Sequence, residues 1–189
     1  MKIIKDSDFL REKVPMTKEE IRTISMSKLE LNDKDIVLDI GGGTGAMAIS
    51  MAINIPNGKV TTIEKKNEAI DLIYKNKEKI KVNNLQIIKG LAPNDLDKSK
   101  INKVFIGGTF GKMKEIFDYL DEYLIKDGIV VLNFITIENI YLATQELKKR
   151  KYKEIEIIQA TISKGNLIND LTLMKTNNSI TIIKGVKNG

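Results

Sequence analysis

A glycine-rich turn near residue 40 constrains the fold of this chain more than any other feature of its sequence. The turn spans Asp39–Gly45, reads D-I-G-G-G-T-G, follows the short apolar run Val37–Ile40 and precedes the apolar stretch Ala46–Ile55. Glycines let the backbone bend sharply and approach a ligand with no Cβ in the way. A strand, a glycine turn and a helix in this order predict a nucleotide-type cofactor site in an α/β protein.

Apolar runs and helical patterns alternate along the rest of the chain. A T-x-x-E capping box at Thr17 and Glu20 predicts a first helix that runs to about Leu29. Five strands are predicted at Val37–Ile40, Val60–Glu64, Leu85–Ile88, Val104–Ile106 and Ile129–Phe134. A helix is predicted after each of four of these strands. Two of them span Gly45–Asn54 and about Glu138–Arg150, and the other two are indicated by apolar stripes over Ile70–Ile80 and Met113–Leu124.

The last two extended runs, Ile155–Ile162 and Ile180–Ile183, are separated by a longer stretch with no sign of a helix. Parallel strands need a crossover connection, so we expect these two runs to pair as an antiparallel hairpin. The complete pattern predicts an α/β fold with a doubly wound, mostly parallel seven-stranded sheet that ends in this hairpin.

Length and composition favour one domain over residues 1–189, in which residues 1–31 form a helical lid segment. No apolar stretch is long enough to cross a bilayer, and the N-terminus lacks the apolar block of a signal peptide. The chain has no cysteine and no histidine, which excludes disulfides, thiolate metal sites and the commonest general base. We expect a cytoplasmic protein without a metal.

The identity of the cofactor is open between two main possibilities. Gly41, Gly43 and Ala46 satisfy the dinucleotide fingerprint G-x-G-x-x-G/A, and Glu64 at the end of the second strand suits either ribose. The longer form D-x-G-x-G-x-G favours S-adenosylmethionine, and no histidine or Tyr-x-x-x-Lys motif supports a dehydrogenase. We therefore predict a class I methyltransferase layout, with another nucleotide binder or an unliganded turn as alternatives. Asp39 is expected to anchor the turn or to meet the cofactor's amino group through water.

The formal net charge of +6 raises the question of nucleic acid. Only three of the basic residues are arginine, and the lysines are spread along the chain, whereas nucleic-acid surfaces favour the arginine fork. Solvated lysines are one interpretation, and a field for an anionic substrate is the other. An RNA methyltransferase remains an alternative.

A second glycine loop, Gly107-Gly108-Thr109, follows the fourth predicted strand. In this layout the loop faces the methyl group, and its glycines either leave room for a bulky substrate or only serve the entry into the next helix. Lys18 and Arg22 lie four positions apart and therefore on one helix face, where they can lean towards the same site.

These motifs together resemble the decarboxylating cobalt-precorrin carbon-15 methyltransferases of cobalamin biosynthesis. The similarity rests on Val14–Arg22, which looks like the family's P-M-T-K-x-E-[VI]-R signature, and on Gly90-x-Ala92-Pro93 and Gly107-Gly108 in the family's order. It covers nearly the whole chain. One departure is Leu91, where the family commonly has an aspartate that can bind the adenine amino group.

The resemblance implies a C-methylation of a tetrapyrrole, coupled to removal of carbon dioxide from an acetate arm, with S-adenosylmethionine as cofactor. The expected cofactor contacts are Thr17, Asp39, Gly41, Gly42, Gly43, Thr44, Gly45, Glu64, Leu91 and Ala92. The expected substrate contacts are Lys18, Arg22, Gly107, Gly108 and Thr109. The resemblance also implies a homo-oligomer, a tetramer, and a separate tetrapyrrole-methylase partner, without nucleic acid or membrane. No catalytic acid or base is assigned; Glu138 is the one candidate, and an acid at a helix start is its alternative role.

Overall fold

A seven-stranded sheet forms the centre of the molecule, and the computed structural model describes all residues, 1–189. The strands are β1 (Ile36–Ile40), β2 (Lys59–Glu64), β3 (Leu85–Lys89), β4 (Ile101–Ile106), β5 (Leu124–Phe134), β6 (Lys153–Ala160), β7 (Ser163–Ile168), β8 (Leu171–Thr176) and β9 (Ile180–Val186). The helices are α1 (Glu19–Leu29), α2 (Ala46–Asn54), α3 (Asn67–Ile80), α4 (Met113–Tyr123) and α5 (Ile137–Lys149), after a short 3-10 turn at Asp6–Asp8.

The order of the strands in the sheet is β3-β2-β1-β4-β5-β9-β6. Strands β1 to β5 run parallel, while β9 is antiparallel to both β5 and β6. The order reverses between β1 and β4, so the carboxyl ends of these two strands open a crevice. This topology confirms the predicted doubly wound sheet and its antiparallel last pair.

Both faces of the sheet are apolar. Successive residues of a strand point to opposite faces, and in these strands consecutive residues are apolar. In β1, Val37 joins the core under α1, α2 and α3, and Leu38 joins the core under α4 and α5. Val131 and Leu132 divide in the same way in β5. The two cores hold the strand ends rigidly in place, which positions the loops that follow them.

The sequence predicts a loop between β6 and β9, and this prediction is wrong. It is a separate two-stranded hairpin, β7–β8, closed by a two-residue turn at Asn169-Asp170, with Asn169 at φ 53°. All residues of both strands are exposed, so the hairpin stands outside the two cores. A turn-forming pair between two apolar runs is the local signal that identifies it.

The predicted capping box is also wrong. Helix α1 begins at Glu19, and the capping position is Lys18, which makes no side-chain cap bond. The carbonyl of Thr17 accepts a hydrogen bond from Arg22 Nη1 at 2.6 Å, and Glu20 pairs with Lys164 of the hairpin. Tertiary partners therefore replace the local ones.

Strand β5 starts earlier than predicted, at Leu124, and a register shift against β4 separates its first residues from the regular ladder at Ile129. Asp127 has φ 60°, so the expected turn survives as an irregularity inside the strand. None of the helices has the length and apolar composition that a membrane span requires.

Candidate active site

A cavity of about 560 Å³ lies at the carboxyl ends of the parallel strands. This volume falls in the usual range for small-molecule and cofactor sites. Five parts of the chain form its walls: the segment before α1, the glycine turn with the start of α2, the end of β2 with the start of α3, the ends of β4 and β5 with the loops after them, and residues around the hairpin. Glycines, polar side chains and three aromatic rings supply much of the wall, namely Thr17, Lys18, Gly41, Gly42, Gly43, Thr44, Glu64, Lys66, Phe105, Gly107, Gly108, Phe110, Asn133, Phe134, Asn139, Asn177 and Asn178.

The glycine turn has the geometry that its sequence predicts. Gly41 and Gly43 have φ of +87° and +54°, in the left-handed region that favours glycine. A Cβ on Gly43 would lie 2.9 Å from the carbonyl oxygen of Pro15, and one on Gly41 would lie 3.0 Å from the nitrogen of Gly108. The turn therefore touches both the N-terminal segment and the second glycine loop. Gly45, at φ +80°, packs against Ile73 and stays outside the cavity wall.

Glu64 is buried at the end of β2 and borders the cavity. Its Oε2 accepts a hydrogen bond from the Gly43 nitrogen at 3.0 Å, and its Oε1 accepts from the nitrogens of Lys65 and Lys66 at 2.8 and 3.0 Å. Because a carboxylate has about four acceptor sites on its two oxygens, these three bonds leave room for a ligand's donor. The carboxylate thus ties the turn to β2 and still offers an acceptor to a bound hydroxyl group.

Asp39 lies behind the turn, fully buried, and does not line the cavity. Thr62 Oγ1 donates to its Oδ2 at 2.7 Å, while Oδ1 has no partner. Burial raises the pKa of Asp39 to about 7, the nearby charge of Glu64 adds to the rise, and the bond from Thr62 opposes it. This position fits the anchoring role of Asp39 better than direct contact with a ligand.

The N-terminal segment covers one side of the cavity with Val14–Lys18. Thr17 and Lys18 line the cavity as the sequence predicts, and Lys18 Nζ lies 3.7 Å from Asp6. Arg22 does not line it. Its side chain is buried, and its guanidinium donates to the carbonyls of Ile4 and Thr17 and pairs with Asp6 at 3.1 Å.

The expected contact between Arg22 and a substrate is therefore corrected. Lys18 and Arg22 both turn towards Asp6, but Arg22 is held inside the N-terminal segment, away from the cavity. Asp6 and the carbonyls of Thr17 and Ile4 occupy three of the five N–H donors of Arg22, and burial of the side chain keeps the other two from a substrate carboxylate. Its role in the structure is to fasten the lid segment.

The second glycine loop lies where β4 ends. A Cβ on Gly107 would meet Phe105 at 3.3 Å, but a Cβ on Gly108 would meet nothing within 4 Å. Gly108 lines the large cavity and opens onto free space. The loop thus leaves room beside the turn, which is one of the two roles expected of its glycines.

A second, small pocket of about 10 Å³ adjoins the large cavity. Leu91, Ala92 and Thr109 line this pocket and not the large one. Glu64 and Phe110 border both. The predicted contacts after β3 therefore face a separate compartment, which Phe110 divides from the main cavity.

Several cavity residues escaped sequence reasoning. Four asparagines face the cavity from three places, Asn133 at the end of β5, Asn139 in α5, and Asn177 and Asn178 after the hairpin. The adjacent pair at 177–178 is typical of a turn and carries no signal of a site. The candidate acid Glu138 is exposed in the first turn of α5 and lies outside the cavity, as an acid at a helix start does.

The sheet order and the cavity at the crevice between β1 and β4 are those of a Rossmann-like fold, and the family match and the relatives give its class, a methyltransferase. More particularly, the chain belongs to the precorrin methyltransferase domain family, which it matches over residues 8–187. The resemblance identified from the motifs is thereby confirmed.

Individual relatives agree with this membership. The chain is 39% identical to a Sulfurisphaera tokodaii protein named "Probable cobalt-precorrin-6B C(15)-methyltransferase (decarboxylating)", with 97% of each chain covered. A protein of the same name from Methanocaldococcus jannaschii is 38% identical, with 98% of each chain covered. The crystal structure of a precorrin-6y C5,15-methyltransferase from Geobacter metallireducens is 30% identical and superposes with a TM-score of 0.92, covering 97% of this chain and 96% of the other.

Proposed function

We propose that the protein methylates carbon 15 of a cobalt-precorrin with S-adenosylmethionine and removes carbon dioxide from an acetate side chain, in anaerobic cobalamin biosynthesis. One observation carries this proposal. A single cavity is lined by the glycine turn and Glu64 and also by Gly108, beside which there is open space, in a chain whose relatives carry the name of this reaction. A methyl donor and a large acceptor therefore have adjoining places.

The residues present fit S-adenosylmethionine. Thr44 Oγ1 is buried at the cavity wall and has no hydrogen-bond partner, which suits a polar ligand. Gly41 and Gly43 let the turn pack directly against Gly108 and Pro15, where a Cβ would lie 3.0 and 2.9 Å from backbone atoms, and Glu64 offers carboxylate oxygens to ribose hydroxyls. When bound, the cofactor supplies an electrophilic methyl group on a sulfonium centre.

The protein's own part in the reaction is chiefly to position the reactants. In-line alignment of two bound groups can lower a barrier by about 7–11 kcal/mol. The lid segment at Thr17 and Lys18 screens the cavity from water, and the apolar side chains of Phe105 and Phe134 form part of its wall. Decarboxylation needs an electron sink, which the conjugated ring of the substrate provides, so no strong protein base is required.

We further propose that the acceptor's carboxylate arms are held by Lys18 and by amide donors. Lys18 and Lys66 are the two cationic residues of the cavity wall, and Asn177 and Asn178 add neutral N–H donors. Asn133 also lines the cavity, and its Nδ2 donates one hydrogen bond to Ser25 Oγ at 2.8 Å. Arg22 donates to backbone carbonyls instead of facing the cavity. Of the cations expected around the substrate, only these two lysines therefore remain. Hydrogen bonds from amides to a charged carboxylate retain useful strength.

We propose four further properties of the protein. The chain forms one domain over residues 1–189, it works in the cytoplasm, and it assembles as a homo-oligomer, for which a tetramer is the expected form. A separate tetrapyrrole-methylase is the expected partner.

Two measurements test the proposed function. Calorimetry with S-adenosylmethionine and with NAD separates the cofactors, and we expect binding of S-adenosylmethionine alone. Mass spectrometry after incubation with cobalt-precorrin-6B should show both a gained methyl group and a lost carbon dioxide. Tight RNA binding with a steep dependence on salt, and no change in the tetrapyrrole, would instead favour the RNA methyltransferase.

Gly108→Leu tests the acceptor side of the cavity. A Cβ at position 108 has no neighbour within 4 Å, so a leucine fits the fold but fills the space beside the turn. We expect turnover of cobalt-precorrin-6B to fall about 100-fold or more, the usual cost of a displaced reactant. Cofactor affinity is measured in parallel and should fall much less than turnover, although Gly108 also borders the small pocket. Full turnover by the variant would place the acceptor elsewhere.

A further inference from the structure

Asn133 is a polar residue on an otherwise apolar face of the central sheet. It lies in β5 two positions after Val131 and pairs with Ile182 of β9, so it shares their face of the sheet. Val131, Ile182 and the nearby Phe105 of β4 all belong to one hydrophobic core. Asn133 is half-buried, and a polar group in such surroundings is unfavourable unless it has partners. Packing alone would favour an apolar side chain at this position.

Ser25 of α1 fixes the direction of the Asn133 amide. Ser25 is fully buried, and its hydroxyl donates to the carbonyl of Ile21 at 2.8 Å, which leaves the hydroxyl oxygen free to accept. Asn133 Nδ2 donates to this oxygen at 2.8 Å, and Asn133 Oδ1 lies 3.2 Å from it. The amide makes no other hydrogen bond within the protein, and Asn133 lines the cavity. Its second N–H is therefore available to a ligand.

Asn133 and Glu64 lie on opposite sides of the crevice between β1 and β4. Glu64 ends β2, beyond β1, and Asn133 is the next-to-last residue of β5, beyond β4. Three strand spacings of ~4.8 Å separate β2 from β5, or ~14 Å in total. Ile106 pairs with Leu132, so Asn133 lies level with Gly107 of the second glycine loop. A cofactor that places its ribose at Glu64 therefore leaves Asn133 to the acceptor.

Apolar side chains form the cavity wall beside Asn133. Phe105 of β4 and Ile180 of β9 are its diagonal neighbours on the same face of the sheet, and both line the cavity. The two lysines of the wall lie on other parts of the chain, Lys18 just before α1 and Lys66 just before α3. A carboxylate placed beside Asn133 is therefore held by a neutral N–H donor among apolar side chains.

Such surroundings suit a carboxylate that leaves as carbon dioxide. Its C–C bond breaks, the bonding electron pair moves into the conjugated ring, and water supplies a proton to the remaining carbon, so the acetate arm becomes a methyl arm. A cation would stabilise the charged arm strongly before the reaction and so oppose the loss of its charge. A neutral amide keeps the arm in place with less stabilisation, and an apolar wall does not solvate the charge that the reaction removes.

We propose that Asn133, aimed by Ser25, holds the acetate arm of the substrate whose carboxylate leaves as carbon dioxide. The inference rests on the proposed function and assigns a residue to its decarboxylation step. Asn133 contacts the substrate, whereas Ser25 is a positioning residue that acts through Asn133.

The test measures carbon dioxide release from cobalt-precorrin-6B that carries an isotope label in its acetate carboxyl groups. Asn133→Leu has a similar size but no amide, so kcat for carbon dioxide release should fall about tenfold or more, as it does when a reacting group is misplaced. KM for the tetrapyrrole should change little. Ser25→Ala leaves the amide in place without its guide and should lower the same kcat by a smaller factor. The control is Asn83→Leu, in the exposed loop before β3 and outside the cavity, which should behave as the wild type does.

Thermal unfolding separates this role from a purely structural one. If the Asn133–Ser25 hydrogen bond served only to join α1 to β5, Asn133→Leu would have a lower Tm and an unchanged kcat. We expect the opposite, a Tm at or above that of the wild type, because a leucine joins the apolar face and Ser25 keeps its bond to Ile21.

The outcomes also separate this inference from the proposed function. If the wild type neither methylates cobalt-precorrin-6B nor releases carbon dioxide from it, the proposed function itself fails. If the wild type does both and Asn133→Leu releases carbon dioxide at the same rate, only the role of Asn133 is overturned. A raised KM with an unchanged kcat would also overturn it, because Asn133 would then bind the ring as a whole. Accumulation by Asn133→Leu of a methylated tetrapyrrole that keeps its carboxylate, seen by mass spectrometry, would support the assignment directly.

Discussion

Glu64 shows how one side chain can have both a structural and a binding role. Its two oxygens accept three backbone N–H groups, from Gly43, Lys65 and Lys66, which hold the glycine turn against the end of β2. The same residue borders the cavity. Removing the carboxylate therefore disturbs the turn as well as any hydrogen bond to a ligand, and the two effects need separate variants.

Glu64→Ala should weaken binding of S-adenosylmethionine by about 2–4 kcal/mol, because hydrogen bonds to a charged group contribute about 1.5–3 kcal/mol each. Glu64→Gln keeps an acceptor oxygen for the turn but lacks the charge, so its loss should be smaller. Calorimetry gives the affinities, and thermal unfolding reports the turn. Equal affinity in the wild type and both variants would contradict the assigned role.

Asp39 gives a prediction for pH. Burial raises its pKa from 3.8 to about 7 in the folded protein. Between about pH 4 and pH 7 the folded state keeps a proton that the unfolded chain releases, so this residue's contribution to stability falls as pH rises through that window. Asp39→Asn removes the titration.

We therefore expect Asp39→Asn to be more stable than the wild type at pH 8, by at most about 4 kcal/mol, with little difference at pH 4. Asp33→Asn controls for the change in net charge, since Asp33 is exposed and hydrogen-bonded to Asn57. Denaturant unfolding at both pH values gives the difference. If Asp39→Asn stabilised the protein equally at pH 4, burial of the charged carboxylate would not be the cause of the stabilisation.

At the scale of elements, the lid segment depends on a single arginine. Arg22 of α1 joins the carbonyls of Ile4 and Thr17 to Asp6, and its guanidinium lies 5.0 Å from the centre of the Phe9 ring. These contacts fold the N-terminal segment back over the cavity. Lys18 reaches the same aspartate from the surface, at 3.7 Å.

Arg22→Ala should lower the free energy of unfolding by about 3 kcal/mol, because it leaves buried acceptors without their partner. Lys18→Ala should change stability by less than about 1 kcal/mol, as exposed ion pairs do, but should raise the KM for cobalt-precorrin-6B. Unfolding curves of both variants report how the lid segment is held, and enzyme kinetics report contact with the substrate. Undiminished stability of Arg22→Ala would refute the fastening role.

For the molecule as a whole, the hairpin β7–β8 is the prominent surface feature. Leu167 and Leu171 are each 76% exposed, and Leu173 and Met174 are each 61% exposed. Leu171 and Leu173 share one face of the hairpin with Ile168, whereas Leu167 and Met174 lie on the other. Isolated two-stranded hairpins have little stability of their own, and exposed apolar side chains grouped on one face are typical of association sites. The hairpin also leads into Asn177 and Asn178 at the cavity, so its placement affects the site.

If the hairpin supports the proposed homo-oligomer, Leu171→Glu should shift the protein towards a smaller species in sedimentation velocity. The introduced glutamate would bury an unpaired charge in the interface between subunits. Tyr141→Glu places the same charge on an exposed residue of α5 and should leave the assembly unchanged. An identical distribution of species for the wild type and Leu171→Glu would exclude this face.

Local patterns in the chain were enough to predict the doubly wound sheet, the glycine turn and the family. Alternating apolar runs specify the layers of the fold, and glycine readily accepts the φ values found at Gly41 and Gly43. The position of Glu64 followed for the same reason, because the end of a predicted strand determines where its side chain lies.

Roles that depend on distant partners became visible only in the folded molecule. Arg22 and Lys18 look equivalent on one helix face, but the carbonyl of Ile4 and the carboxylate of Asp6 draw Arg22 inward. Phe110 and Lys65 are 45 positions apart, and their contact exists because β2 and β4 flank β1 in the sheet. Helical spacing and motifs describe neighbours along the chain, whereas burial and charge pairing depend on the packing of elements that are remote in sequence.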